Sequence, residues 1–272
     1  MEDLTLIELK SVSGLCGKGT VKNVSFRLPN GKMYGVFSPR YADAVALCAL
    51  MSGACTPSKG VVLVGGFDLH REAKQARGGI GYLPADLLPD GELTPIEYLM
   101  SVADARALNY DKTLRYVHEL LELADLGDKK ERLICNLSHG ERRTVCFLQT
   151  LLGKPEILIL SSPFGGVLPK DAQKIGELIK HFSQTHTIFL CTPSHQDLCA
   201  LCEEVLVLQD GTLKAIVPAD AQMLSQEVLA ASEANAPTPE TQKSRKKTRW
   251  SILTQNTDEY EVLDGDGKED KN

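Results

Sequence analysis

The 272-residue sequence lacks several features that would place it in other classes of protein. No stretch approaches the roughly 18 consecutive apolar residues of a membrane-spanning helix. The first twenty residues contain no basic start followed by an apolar core, so we expect no export signal. Positive charge is not in excess, because 30 Lys and Arg stand against 36 Asp and Glu, which gives a net charge of −6. This balance argues against a nucleic-acid partner.

Metal-binding motifs are also lacking. Cys199 and Cys202 form a CxxC, but no second pair at metal-ligand spacing accompanies them. The stretch DGDGKED lacks the ligand spacing and the closing glutamate of a calcium loop. We therefore assign no metal ligands. The eight cysteines lie in segments typical of a buried core, and without an export signal we expect free thiols in a reducing cytoplasm.

What is present is an alternation of short apolar runs with longer amphipathic segments, which is typical of an α/β domain with a largely parallel sheet. Predicted strands begin at Leu4, Gly60, Ile80, Glu156, Thr187 and Glu204. Residues 94–136 are predicted to be helical, because apolar residues between Leu114 and Ala124 recur at helical spacing. From about Ala231 the composition becomes polar, and it predicts a flexible tail.

Three segments point to a family. GVFSPRYADAVAL (35–47) lies between an apolar run and an apparent helix, the frame of a phosphate-binding loop. LSHGERR (137–143) and PEILILSSPFGGVLP (155–169) follow in a characteristic order. On these motifs the chain resembles the ATP-binding subunit of an ABC transporter from about residue 4 to residue 217. The resemblance implies an α/β, ABC-type ATPase-like domain with a mainly parallel core sheet, an antiparallel β part and an inserted helical subdomain.

The resemblance also implies a division of the chain. We expect an ABC transporter nucleotide-binding-like domain over 1–217, with its helical subdomain at about 94–153. A terminal helix over 218–230 and the polar tail over 231–272 would follow. The basic cluster at 243–250 in that tail has two interpretations, contact with anionic lipid headgroups or a solvated linker.

The predicted phosphate loop lacks the residues that bind nucleotide. Such a loop needs glycines whose neighbouring N–H groups surround the phosphates, a lysine for the β and γ oxygens, and a hydroxyl for Mg²⁺. At these positions the chain has Ser38, Tyr41, Asp43, Ala44, Val45 and Ala46. A carboxylate about 4 Å from a phosphate charge costs on the order of 4 kcal/mol at an effective dielectric of ~20. That is about the whole binding free energy of a ~1 mM complex.

Other positions that the resemblance makes catalytic are also changed. The family has an aspartate that holds Mg²⁺, a glutamate that polarises water, a glutamine, a switch histidine and a further aspartate, and here they are Ser161, Ser162, Ala85, Pro193 and Leu168. No aromatic residue lies in residues 1–25, from which the family stacks adenine. Phosphoryl transfer depends on positioning and charge neutralisation. We therefore expect no catalytic residue and no cofactor bound by this chain alone.

The segment LSHGERR (137–143), which corresponds to the family's signature motif, retains more of the groups that bind an anion. Ser138 offers a hydroxyl and an N–H, Gly140 a backbone donor, and the following helix a positive end, which together suit an anion. Because the family uses this motif in trans, Ser138, His139, Gly140 and Glu141 would contact a nucleotide held by a partner. His139 replaces a glycine and adds bulk. The alternative, which does not exclude the first, is a capping box formed by Ser138 and Glu141.

The sequence thus predicts a catalytically degenerate subunit of a heteromeric ABC transporter, cytoplasmic and peripheral on the inner face of the cell membrane. Its partners would be an active ABC ATPase subunit, with which ATP and magnesium are shared, and transmembrane permease subunits gripped through residues 84–98. Two alternatives remain open. One is an active ATPase with a non-standard site that uses Arg40 or His195, and the other is a soluble ABC-like scaffold or regulator.

Overall fold

The secondary structure alternates between strands and helices along residues 5–220, which are the residues that the computed structural model describes. Its strands are β1 (Thr5–Cys16), β2 (Gly19–Pro29), β3 (Met33–Phe37), β4 (Lys59–Val64), β5 (Phe67–Asp68), β6 (Ile80–Leu83), β7 (Ile157–Ser161), β8 (Thr187–Cys191), β9 (Glu204–Gln209) and β10 (Thr212–Pro218). Its α-helices are α1 (Tyr41–Ser52), α2 (Ala73–Arg77), α3 (Pro95–Ala105), α4 (Tyr110–Leu123), α5 (His139–Leu148), α6 (Pro169–Phe182) and α7 (His195–Leu201). Short 3₁₀ helices lie at Gly127–Lys129, Ile134–Asn136 and Gln149–Leu151.

The strands form two sheets. The larger has the order β10-β9-β3-β8-β7-β6, in which β6, β7, β8, β3 and β9 are parallel and β10 is antiparallel to β9. The smaller sheet, β2-β1-β4-β5, is antiparallel. This arrangement confirms the predicted fold class, a mainly parallel core sheet with an antiparallel β part. Every residue of β7, which lies between β8 and β6, is buried, as expected for a parallel strand covered on both faces.

Two hydrophobic cores lie on opposite faces of the larger sheet. Leu158 and Leu160 of β7 point into the core shared with α3 to α6, whereas Ile157 and Ile159 point into the core shared with α1 and the smaller sheet. Alternation along a strand explains how adjacent residues reach different cores. The carboxyl ends of β3, β6, β7 and β8 meet between these layers, at the edge where open α/β sheets bind ligands.

The predicted helical segment 94–136 contains α3, α4 and two 3₁₀ helices. Thr94 caps α3 through a capping box with Glu97, and Asn109 caps α4 by accepting a hydrogen bond from the amide of Lys112 at 3.0 Å. Ala107, between the two helices, has φ of 52°, a conformation incompatible with a continuous helix. The outer limits of the helical subdomain, about 94 and 153, remain a prediction.

All the predicted strands are confirmed, but β2 and β5 were missed. All six predicted runs overlap observed strands, and the last of them, β9, forms an antiparallel hairpin with β10. The sequence did not reveal β2 or the two-residue β5. In β2 the alternation is broken at Asn23, whose φ of 48° marks an irregularity in the pairing with β1. Pro218 ends β10 instead of opening a helix, and the rest of the predicted terminal helix and the whole tail, residues 221–272, lie outside the described residues.

The expectation of eight free thiols is wrong for two cysteines. Cys16, the last residue of β1, and Cys55, shortly after α1, form a disulfide with a Cα–Cα distance of 6.1 Å. The smaller sheet packs against α1 and brings these distant residues within disulfide range. The other six cysteines are free, and Cys48, Cys146, Cys191 and Cys202 among them are buried. No helix within residues 5–220 is long and apolar enough to cross a membrane.

Candidate functional site

The predicted phosphate loop connects β3 to α1. The strand ends at Phe37 and the helix begins at Tyr41, so only residues 38–40 lie between them. Ser38 is buried and its hydroxyl oxygen has no hydrogen-bond partner. Ala44 and Ala46, at the positions predicted for the lysine and a hydroxyl, are fully buried in the core beside the smaller sheet, and Val45 is half-buried. The loop positions predicted from the sequence are therefore close together, but five of the six belong to α1 and only Ser38 lies in the loop.

Tyr41 bridges the loop and the opposite side of the site. Its hydroxyl donates a hydrogen bond of 3.4 Å to the carbonyl oxygen of Cys191, at the end of β8, and the amide of Ser162 donates to the same oxygen at 2.7 Å. The aromatic ring thus crosses the gap between the start of α1 and the ends of β7 and β8. Burial, with a smaller effect of Cys191, raises the pKa of Tyr41 far above its ordinary value. The side chain is therefore a neutral phenol that fills space between the loop and the strand ends.

Asp43 is turned toward the smaller sheet. Its side chain is 1% exposed, and Oδ1 accepts a 2.8 Å hydrogen bond from the amide of Thr20 in β2. The same oxygen lies 3.7 Å from Nε of Arg40, and Oδ2 has no hydrogen-bond partner. The first turn of α1 therefore contains a buried carboxylate that is compensated by one amide and by an arginine that is mostly exposed.

The turn between β1 and β2 packs directly on the start of α1. Gly19 is so close that a Cβ atom there would overlap the carbonyl oxygen of Ala42. Arg40 donates to the carbonyl oxygen of Lys18 at 2.5 Å, and the Cys16–Cys55 disulfide joins the same turn to the segment after α1. Three kinds of contact thus hold the β1–β2 turn, which belongs to the region from which the family is expected to stack adenine, against α1 and the segment that follows it.

The positions at which the family has its catalytic residues lie near the carboxyl ends of the strands of the larger sheet. Ser161, Ser162, Ala85, Pro193 and Leu168, which occupy them here, have uncharged side chains. Ser161 is buried at the end of β7 with an unpartnered hydroxyl oxygen, and Ser162 follows it. Ala85 is half-buried, and Pro193 is exposed after β8. His195, one of the alternative catalytic residues, is the first residue of α7, which Ser194 caps. Leu168 is 71% exposed just before α6.

Arg143, on α5, is a residue of the site that was not predicted from the sequence. It is 5% exposed, and it donates to the carbonyl oxygens of Ser161 and Ser162, both at 2.9 Å. It also donates to Pro84 at 3.2 Å and to Leu87 at 3.3 Å. Burial lowers the pKa of Arg143, although arginine remains a cation in proteins. The one signal in the sequence is its place on the apolar face of α5, one turn before Phe147.

The signature motif forms the capping box. The hydroxyl of Ser138 accepts from the amide of Glu141 at 3.2 Å, and the Glu141 carboxylate accepts from the amide of Ser138 at 2.9 Å. His139 is exposed, and its Nε2 lies 3.2 Å from the carbonyl oxygen of Gly165. Gly140 is buried because the carboxylate of Asp171 lies against it. The capping interpretation is confirmed, and the contact in trans remains a prediction.

We expect Glu141→Gln to weaken the fold in a pH-dependent way. Burial would raise the pKa of Glu141, but hydrogen bonds from Lys129 and Ser138 hold it below its ordinary value of 4.5. The 2.7 Å bond between Lys129 Nζ and Glu141 Oε1 therefore stabilises the fold above that pH and is lost as the pH falls through the lowered pKa. The variant should show a lower urea midpoint at pH 7 and approach the wild type in acid. A difference in urea midpoint between variant and wild type that does not depend on pH would contradict this. Lys129→Met, which removes the other partner of the same ion pair, is the matched variant.

Geometry and connectivity together define the class of this molecule. The nucleotide-binding domain of an ABC ATPase has a parallel sheet, a loop leading from one strand into a helix, a helical insert, and a helix that begins at the motif here read LSHGERR. In this chain the loop joins β3 to α1 and that last helix is α5. The family model described as "ABC transporter" matches residues 21–165, which is just over half of the chain. The chain belongs to this family, as an ATP-binding-type domain.

Relatives and solved structures agree with this assignment. The chain is 26% identical to the linearmycin resistance ATP-binding protein LnrL of Bacillus subtilis, over 78% of this chain and 68% of that protein. It is 30% identical to the Nod factor export ATP-binding protein I of Rhizobium meliloti, over 75% of this chain and 62% of that protein. It therefore spans about two thirds of the length of these relatives.

Similar folds are found among solved structures. The ATP-binding subunit of an ABC transporter superimposes with a TM-score of 0.69 at 23% identity, covering 82% of this chain and 94% of that one. The ATP-binding cassette MJ0796, in a dimeric post-hydrolysis state bound to ADP and Pi, gives 0.68 at 18% identity and covers 79% and 100%. These likenesses establish the fold.

Proposed function

We propose that this chain is a catalytically degenerate nucleotide-binding-like subunit of a heteromeric ABC transporter. The observation that carries the proposal is Tyr41, whose ring lies where the loop, β7 and β8 converge and whose hydroxyl donates to the carbonyl oxygen of Cys191. A glycine at this position leaves room for phosphate oxygens, and a phenol ring does not. The chain would therefore be retained for its surfaces and not for hydrolysis.

The chemistry of the available side chains supports the same conclusion. ATP with Mg²⁺ needs a cation at the β and γ phosphates and oxygen ligands for the metal. The side chains at the corresponding positions are the apolar groups of Ala44, Val45 and Ala46 and the hydroxyls of Ser161 and Ser162. The nearest carboxylate on the loop, Asp43, is bonded to the amide of Thr20. These residues do not fit Mg-ATP, and we assign no cofactor to this chain alone.

A partner would supply the missing parts. ABC nucleotide-binding domains pair, and the signature motif is the surface with which this chain would meet a nucleotide on an active ATPase subunit. Within the chain Ser138 uses its hydroxyl oxygen as an acceptor, so the hydroxyl proton stays available to a phosphate, and the ring of His139 is exposed beside it. The carboxylate of Asp171 beside Gly140 would have to be accommodated in such a contact.

The proposed setting is a transport system at the membrane. Relatives of this chain are named as ATP-binding proteins of linearmycin resistance and of Nod factor export. We therefore place the chain on the cytoplasmic face of the cell membrane, bound to transmembrane permease subunits and to the active ATPase subunit. Within the nucleotide-binding-like domain, the helical subdomain and the surface at 84–98 would face those permease subunits.

Calorimetric titration with Mg-ATP tests the central claim. We expect no heat up to millimolar nucleotide, no phosphate release, and no rise in the unfolding temperature. A site with a dissociation constant one hundredth of the nucleotide concentration would add about 2.7 kcal/mol of stability, which a thermal melt detects readily. An active ATPase of the same family is the positive control. Micromolar binding by the chain alone would overturn the proposal and favour a non-standard site with Arg40 or His195.

A further inference from the structure

A cavity of about 250 Å³ lies between α5 and the loop that follows β6. The loop contributes residues 85–89, and Gly165, from the loop after β7, closes a third side. One face of α5 forms the remaining wall, with residues at helical spacing: His139, Arg142, Arg143 and Cys146. The volume corresponds to about eight water molecules at ~30 Å³ each. That is too little for a nucleotide and enough for a small organic acid.

Arg142 brings a cation without a partner to this cavity. Its side chain is half-buried, and within residues 5–220 its guanidinium group forms no hydrogen bond and no ion pair. Its Nε is buried without an acceptor. A guanidinium group has five N–H donors, and removing it from water without supplying acceptors is unfavourable. An anion in the cavity would satisfy the part of this group that faces it.

The charges of the lining favour an occupant with a single negative charge. Arg143 contributes positive charge, although its two Nη atoms already donate to four carbonyl oxygens, one of them that of Leu87. Asp86 is the carboxylate of the lining, and among the residues that the structure describes it has no ion-pair partner. Two guanidinium groups against one carboxylate leave one positive charge, which a monoanion neutralises.

The rest of the lining is largely apolar. Leu87, Leu88 and Pro89 are consecutive in the loop wall, and Leu88 is 73% exposed. Burial raises the pKa of the Cys146 thiol to about 11, so this group is uncharged at neutral pH, and it donates to the carbonyl oxygen of Leu87 at 3.7 Å. An inorganic anion would leave this apolar surface uncovered. A carboxylate attached to a compact aliphatic group matches both the cation and the apolar wall.

We propose that the cavity between Arg142 and the loop residues Leu87 and Leu88 is a binding site for a small aliphatic monocarboxylate. The carboxylate accepts hydrogen bonds from the guanidinium group of Arg142, a charge-assisted pairing. The aliphatic group packs against the loop wall, and the carboxylate of Asp86 disfavours a second negative charge. The site is separate from the signature-motif contact, because Ser138 and Gly140 do not line it, and it requires neither nucleotide nor a partner subunit.

The test is an NMR titration of the full chain with 4-methylpentanoate, without nucleotide or magnesium. For a ligand of this size we expect a dissociation constant of about 1 mM or below. The neutral isostere 4-methylpentanamide should bind at least about tenfold more weakly, and Arg142→Gln should weaken binding of the carboxylate to the same extent. The matched control is Arg132→Gln, which removes an exposed arginine outside the cavity and should bind as the wild type does.

A second variant tests the apolar wall. Leu88→Ser alters a mostly exposed side chain, so the fold is retained, and it should weaken binding of 4-methylpentanoate about threefold or more while leaving the weaker binding of acetate unchanged. Absence of binding, equal binding of the acid and the amide, or unchanged affinity of Arg142→Gln would overturn the proposal. So would inorganic phosphate that binds as tightly as 4-methylpentanoate. Since Mg-ATP is absent, the outcome is separate from that of the calorimetric titration.

Discussion

Arg143→Met is expected to destabilise the domain by about 3–5 kcal/mol, because it removes a buried cation that satisfies four carbonyl oxygens. Those oxygens belong to Pro84 and Leu87 on one side and to Ser161 and Ser162 on the other. Methionine fills similar space but donates no hydrogen bond, so all four would be left without this partner. For a domain of this size the unfolding temperature should fall by roughly 6–20 °C.

Differential scanning calorimetry of the purified chain measures this effect. The matched control is Arg142→Met, the neighbouring arginine on α5, which is half-buried and should cost less than about 1 kcal/mol. A loss in Arg143→Met no larger than in Arg142→Met would show that the four carbonyl groups find other donors. It would also show that Arg143 does not hold the end of β6 against the end of β7.

Gly19→Ala is the second change with a large expected effect. The new methyl group would overlap the carbonyl oxygen of Ala42 and come within 2.7 Å of Cβ of Ala46. Both are parts of α1 that cannot rotate away, so the β1–β2 turn must shift, at a cost of about 2–3 kcal/mol. The bond from the amide of Thr20 to Asp43 lies next to this contact and should be weakened with it.

Two measurements check this prediction. Urea unfolding reports the loss of stability, and hydrogen exchange at the amide of Thr20 reports the local shift, which should speed exchange more there than in β7. The control is Gly176→Ala in α6, where nothing lies within 4 Å of the added Cβ, and which should be neutral or stabilising by up to about 1 kcal/mol. Unchanged exchange at Thr20 would mean that the turn does not rest on α1.

The local features of this molecule were predictable from its sequence, since they depend on neighbours in the chain. The runs that became β7, β8 and β9 are apolar except at their ends, and Ser138 and Glu141 have the spacing of a capping box. The changed loop positions could likewise be compared with the family one residue at a time. In each case the deciding interaction spans only a few residues.

Features that depend on distant residues were not predictable in this way. Cys16 and Cys55 pair because a sheet packs on a helix, and a core-like composition conceals that approach. Arg143 contacts residues 56 and 59 positions before it and 18 and 19 after it. Asp43 was interpreted as a charge facing a phosphate, but its partner is Thr20, 23 residues earlier. Tertiary packing assigned these side chains to partners that the local pattern does not contain.

The Cys16–Cys55 disulfide also has a mechanical consequence. The two cysteines are separated by 39 residues in the sequence, and the closed covalent ring contains β2, β3 and α1 in full. When the ends of the chain are pulled apart, tension passes across the sulfur atoms and bypasses this segment. On the order of 130 Å of contour length is thereby withheld from extension. While the disulfide is oxidised, the enclosed segment bears no tension and is not extended. Force reaches it only after a thiol has reduced the disulfide.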